Sequence, residues 1–156
     1  AKVSAKKISM LADQAECCLQ YAPEPLKSNR EIVLAAVKHC GWHLQYAADA
    51  CKSDREVVLA AVEQTGCALK WVADSCRSDR EVVLTAVQHG GYALQFAATP
   101  LKSDKEIVLA AVKEDGCALE SAAESCKGER EIVLAAVRQN GQALQWASAS
   151  CKRDRE

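Results

Sequence analysis

The segment Glu31-Ile-Val-Leu-Ala-Ala-Val37 returns almost unchanged every 25 residues, at Glu56, Glu81, Glu106 and Glu131, and Glu156 opens another copy. A fixed period of that length leaves a chain little choice. It stacks as a repeat array in which each unit buries its apolar face on its neighbours. The pattern predicts an all-α fold, an α-solenoid of tandem 25-residue helix-turn-helix repeats. Residues 1–28 read as a divergent N-terminal capping repeat, 29–153 as five tandem helical repeats, and 154–156 as the start of a further one. Ala1 in place of Met and the short last copy suggest a trimmed or processed piece of a longer protein.

Within a copy, Ser28 three residues before Glu31 fits a capping box, and Ser53, Ser78 and Ser103 repeat it. Gly128 breaks that pattern in the fifth copy, so the cap there shifts toward Glu129. The first helix is expected to run to Gly41, with Gly41, Gly66, Gly91, Gly116 and Gly141 ending their helices in the left-handed region. Six consecutive apolar residues, Ile32 to Val37, also fit a buried strand in isolation. The polar cap, the Ala pair and the Gly exit favour a helix buried on most sides.

A second helix is expected from about position 42 to Lys52, because Leu44, Ala47, Ala48 and Cys51 share one face at helical spacing. Val33, Leu34, Ala36, Val37, Gly41 and Leu44 recur in nearly every copy and are read as core, which places Leu84 in the core of the central copy. Before the first clear copy, Cys17 to Ala22 matches Trp42 to Ala47, and Ile8, Met10 and Leu11 keep a trace of a first helix.

Nine cysteines in 156 residues suggest a disulfide framework until they are laid on the period. Cys51, Cys76, Cys126 and Cys151 share one column with Leu26 and Leu101, so there the residue acts as small apolar filler. Cys17, Cys67 and Cys117 share a second with Trp42, Tyr92 and Gln142. The count is odd and no C-x₂-C occurs, which points to free thiols in a reducing intracellular compartment. His39, Cys40 and His43 cluster in sequence, but the two histidines straddle Gly41 and no fourth ligand follows, so no metal is expected. Vicinal Cys17-Cys18 is not read as a redox pair, because the repeat already explains Cys17, while Cys18, like Cys40, falls outside both columns.

A formal net charge of −1 argues against a general nucleic-acid or membrane-surface binder. Lys27, Lys52, Arg77, Lys102, Lys127 and Lys152 form one basic column, and Arg30, Arg55, Arg80, Lys105 and Arg130 another, with Asp and Glu columns between. Interleaving of that kind predicts ion-pair ladders. No Ser-His-Asp, Walker or Gly-rich phosphate pattern is present, no catalytic residue is assigned, and no cofactor is expected.

Residues Ser78 to Ala97, SDREVVLTAVQHGGYALQFA, carry the pattern best. Over roughly Cys17 to Glu156 the chain resembles, copy by copy, the repeats grouped as domain of unknown function 4116. The resemblance implies a tandem α-helical repeat and no activity, and it carries over no catalytic residues.

Variation gathers where the first helix turns into the second. The candidate partner-binding residues are therefore His39, Gln64, His89, Glu114 and Gln139, with Trp42 and Tyr92 beside them. Drift of a tolerant loop surface is the competing account. A further column, Tyr21, Tyr46, Trp71, Phe96, Ser121 and Trp146, fits either packing between copies, which is favoured, or an exposed aromatic ladder. The sequence thus points to a non-enzymatic scaffold for protein–protein interaction, an accessory or linker subunit of a larger assembly. The alternative is a helical repeat protein that binds single-stranded RNA.

Overall fold

A computed structural model describes residues Cys18 to Arg153. The expectations for Ile8, Met10, Leu11, Cys17 and residues 154–156 lie outside these described residues, and no side-chain environment is described for Cys18.

Every repeat opens with a long helix: Arg30–His39, Arg55–Gln64, Arg80–Gln88, Lys105–Glu114 and Arg130–Gln139. The residue just ahead of each helix decides where it starts. The Asp54 carboxylate accepts the N–H groups of Glu56 at 3.0 Å and Val57 at 3.2 Å, and Asn29, Asp79 and Asp104 do the same. The expected Ser–Glu capping box is therefore displaced. Ser53 sits one residue too early and gives its hydroxyl to the Asp49 carbonyl at 3.0 Å instead. In the fifth copy Glu129 takes the cap position without a side-chain cap bond.

The glycine exit also differs from expectation. No glycine among the described residues adopts the left-handed conformation, and Cys40, which ends the first long helix, is extended at φ −151° and ψ 116°. Gly41 begins a six-residue 3₁₀ helix, Gly41–Tyr46, which recurs as Gly66–Trp71, Gly91–Phe96, Gly116–Ser121 and Gly141–Trp146. Close approach is what requires glycine here. A Cβ on Gly41 would overlap the carbonyl oxygen of Ala61 in the next long helix.

The single second helix expected over 42–52 is two pieces. The 3₁₀ segment ends at Tyr46, Ala47 and Ala48 are extended, and a one-turn helix follows over Asp49–Lys52. The break comes from the neighbouring repeat, because the Ala48 N–H, which a continuous helix would keep, goes to the Lys27 carbonyl at 3.0 Å. Ala73 to Lys52, Ala98 to Arg77, Ala123 to Lys102 and Ser148 to Lys127 repeat this bond at 2.9–3.0 Å. They form a main-chain spine along the array. In the third copy Pro100 accompanies a 3₁₀ turn, Thr99–Ser103, in place of the one-turn helix.

Long helices pack on long helices, and 3₁₀ segments on 3₁₀ segments, of adjacent repeats. The resulting fold is an all-α, solenoid-like helical repeat. The shared core takes Val82, Val83, Ala86, Val87 and Leu94 in the central copy. Leu84, expected there, is half-buried, as are Leu34, Leu59 and Leu109, and Leu134 is exposed. The helix turns Val82, Val83, Ala86 and Val87 inward, so Leu84 and Thr85, between them in sequence, point along the outer side. Leu84 and Leu109 line a shallow outer groove with Gln88, Ala110 and Lys113.

Candidate partner-binding edge

The seven candidate residues, His39, Trp42, Gln64, His89, Tyr92, Glu114 and Gln139, are all exposed. They occupy one junction in successive repeats, where the long helix passes into the 3₁₀ segment. Gly41, Gly66, Gly91 and Gly116, which open four of the 3₁₀ segments, turn inward against the next repeat, and the successors Trp42 and Tyr92 are left facing out. That leaves Trp42 47% and Tyr92 58% exposed, although both side chains are large and apolar.

These two do not stand alone. Trp42 meets Trp71 of the next copy edge to face, with ring centroids 4.9 Å apart and an interplanar angle of 62°. Tyr92 meets Phe96 at 6.1 Å and 83°. Tyr46, Trp71, Phe96 and Trp146 are half-buried against the core, while Tyr21 is largely exposed. The column expected to serve packing does so with one side and meets the variable column with the other. Lys70 adds a cation, its Nζ 5.8 Å from the Trp71 ring centroid.

Gln139 departs from the expectation of a free reading residue. Its Oε1 accepts the Gly116 N–H at 2.6 Å and its Nε2 donates to the Glu114 carbonyl at 3.2 Å. The side chain thus clamps the fifth repeat to the fourth. Only the placement of neighbouring main chain reveals this use, so sequence reasoning had no signal for it. His43 was also unforeseen as a core residue. It is buried where other copies have Ala, with Nδ1 3.1 Å from the Ala36 carbonyl oxygen.

Charge surrounds the edge but is largely committed to the fold. Arg30 bridges to the next repeat, giving Nε to Asp54 at 2.8 Å and a second nitrogen to Glu56. Arg55 takes Asp79 and Glu81 in the same way, and Arg80 takes Asp104 and Glu106. Lys105 reaches Glu129 at 2.6 Å. The Arg30 side chain holds the Asp54 carboxyl below its ordinary range, helped by the capped N–H groups. At Asp79 and Asp104 burial acts in the opposite sense and is outweighed by Arg55 and Arg80 respectively, together with the cap bonds.

The other basic column, expected in this ladder, has separate partners. Arg77 donates to the Lys70 carbonyl at 2.9 Å, Lys102 to that of Gln95 at 2.7 Å and Lys152 to that of Gln145 at 2.6 Å. Lys27 and Lys127 pair within their own turn with Glu24 and Glu124. Arg77, Lys102 and Lys152 thus satisfy carbonyls near the ends of the 3₁₀ segments Gly66–Trp71, Gly91–Phe96 and Gly141–Trp146.

One cysteine column faces the preceding repeat, while Cys117 of the other accepts from the Asn140 side-chain amide of the next repeat at 3.2 Å. The thiols of Cys76, Cys126 and Cys151 point at the carbonyls of Ser53, Ser103 and Gly128 at 3.8, 3.5 and 3.2 Å. Burial pushes the Cys51, Cys67, Cys117 and Cys126 thiols up, away from the reactive thiolate form. Among the described residues no group of His, Cys, Asp or Glu is placed to hold a metal ion, and no helix is long and apolar enough to cross a membrane.

The model of a family described as Domain of unknown function (DUF4116) matches residues 10–52, 29–77, 54–102, 79–127 and 104–152. After the first, each match advances by one repeat and covers two adjacent copies, which is the pair that shares a buried interface. No curated protein and no solved structure matches the chain significantly. With its matches running from residue 10 to residue 152, the chain belongs to the DUF4116 family of tandem helical repeats.

Proposed function

We propose that the array is a non-enzymatic scaffold that binds a protein partner along the edge marked by Trp42 and Tyr92, as an accessory or linker piece of a larger assembly. The observation that carries this reading is the exposure of two large aromatic side chains, each braced by a second ring from the half-buried column. Braced aromatics lose little conformational entropy on binding and are common anchors of protein interfaces. His39, Gln64, His89 and Glu114 vary around them from copy to copy, which suits a surface that reads one partner. Thiols used as packing groups support residence in a reducing intracellular compartment.

Single-stranded RNA is the second reading, favoured by Lys70 beside Trp71. The employment of Arg77, Lys102 and Lys152 on backbone carbonyls counts against a phosphate track. Affinity capture from the native source, with and without nuclease, separates the two. The scaffold reading expects capture that survives nuclease, weakens with Trp42→Ala plus Tyr92→Ala, and is little changed by Lys38→Ala plus Lys113→Ala. Binding that vanishes with nuclease, falls steeply with salt and follows the lysines assigns the edge to RNA.

A further inference from the structure

The first position of the short turn after each 3₁₀ segment is acidic in most units, as Glu24, Asp49, Asp74 and Glu124. The third copy has Thr99 there and the fifth has Ala149. Three of the acids meet the base three residues on: Glu24 and Lys27 at 3.5 Å, Asp74 and Arg77 at 3.2 Å, Glu124 and Lys127 at 3.0 Å. Where the acid is missing, the base holds a main-chain carbonyl instead, Lys102 that of Gln95 and Lys152 that of Gln145. Glu24-Pro25-Leu26-Lys27 and Thr99-Pro100-Leu101-Lys102 differ at one residue, yet the first is a turn of α-helix and the second a 3₁₀ turn. Proline alone therefore does not set that difference.

Thr99 is the one hydroxyl residue of the chain that precedes a proline, and both it and Pro100 are exposed. It lines a groove with Arg77 and with Gln95, whose carbonyl anchors the Lys102 ammonium. A hydroxyl, then proline, then a base three residues on is the pattern that a cyclin-dependent protein kinase accepts. We propose that Thr99 is a phosphorylation site whose phosphate takes the place of the acid carried by most other units. Thr99 Oγ1 attacks the γ-phosphorus of a nucleoside triphosphate. The Oγ1–P bond forms, the bond to the bridging oxygen breaks, nucleoside diphosphate leaves, and the hydroxyl proton passes to the kinase's catalytic carboxylate. The phosphate brings a charge of about −1.5 to −2 and three acceptor oxygens. Lys102 keeps spare N–H donors beside its bond to Gln95, so it can pair with the phosphate and hold that carbonyl together. Asp74 also lines the groove, but its charge is already met by Arg77. The proposal stands apart from the aromatic edge.

The test treats the 156-residue chain with a purified cyclin-dependent kinase and magnesium ATP and maps the product by mass spectrometry. One phosphate on Thr99 is expected, and none there in Thr99→Val. The phosphoprotein should melt about 1–2 °C above the parent, as an added pair within one turn would give. Thr99→Glu recreates the sequence around Glu24 and needs no kinase, so it separates pairing from recognition. It should raise the melting temperature in the parent and not in a Lys102→Ala background. No incorporation at Thr99, a melting temperature that the phosphate leaves unchanged or lowers, or a Thr99→Glu rise undiminished by Lys102→Ala overturns the proposal.

Discussion

Ala73 donates its main-chain N–H to the carbonyl of Lys52 at 3.0 Å, with its own φ at −64°. That φ is the one a proline ring imposes. Ala73→Pro therefore removes one rung of the spine while leaving the backbone torsions in place. Leaving the Lys52 carbonyl without its partner should cost about 1–3 kcal/mol, partly offset by a stiffer unfolded chain. Urea denaturation of the two proteins measures it, and an unchanged midpoint would mean the spine contributes nothing.

Glycines in this chain should divide by contact rather than by backbone angle. A Cβ on Gly66 meets the Ala86 carbonyl, so Gly66→Ala should destabilise by about 1–3 kcal/mol, the usual range for overpacking. Gly90 has an extended φ of 170° and nothing closer than 3.9 Å to an added Cβ. Gly90→Ala should stay within about 0.5 kcal/mol of the parent. Thermal melts of the pair test the contrast, and equal losses would refute the close-approach account.

Leu94 and Leu84 are both recurrent leucines, yet Leu94 is fully buried and Leu84 lies half in the outer groove. Leu94→Ala should cost about 2–5 kcal/mol, as large-to-small core changes do. Leu84→Ala should cost about 1–2 kcal/mol, in proportion to the smaller apolar area it buries. A larger loss at Leu84 than at Leu94 would show that the long helix is rotated from the orientation described above.

Acid should loosen the array through its caps. The carboxyls of Asp54, Asp79 and Asp104 titrate below their ordinary value in the folded chain. A depressed folded pKa contributes stability that is present above the unfolded value, near 3.9, and is lost as pH falls through the folded one. Urea midpoints should hold from pH 7 to about 5 on this account and then decline toward pH 2. Asp79→Asn keeps a cap oxygen but not the charge, so its curve should be flatter over the acid range. A parent-like slope in that variant would remove Asp79 from the mechanism.

Much of the architecture was legible in the residues because repetition and capping are local or periodic. The 25-residue period fixes the length of each unit, and a polar cap ahead of each long helix was expected, although the capping residue is the Asp or Asn before Arg-Glu rather than the Ser one position earlier. The exposure of the seven candidate residues followed from the same comparison of copies, since side chains that vary between otherwise constant units rarely sit in a shared core. What only the tertiary structure decided involves partners one repeat away. The Lys27 carbonyl takes the N–H of Ala48 and so splits a segment whose spacing alone reads as one helix. Gly41 is required by Ala61, not by its own backbone angle, and Gln139 is drawn from the reading edge into a clamp by Gly116 and Glu114. A periodic sequence states that its units stack. The rotation and spacing of that stack depend on contacts between residues more than twenty positions apart, and these determine which face of each helix is left exposed.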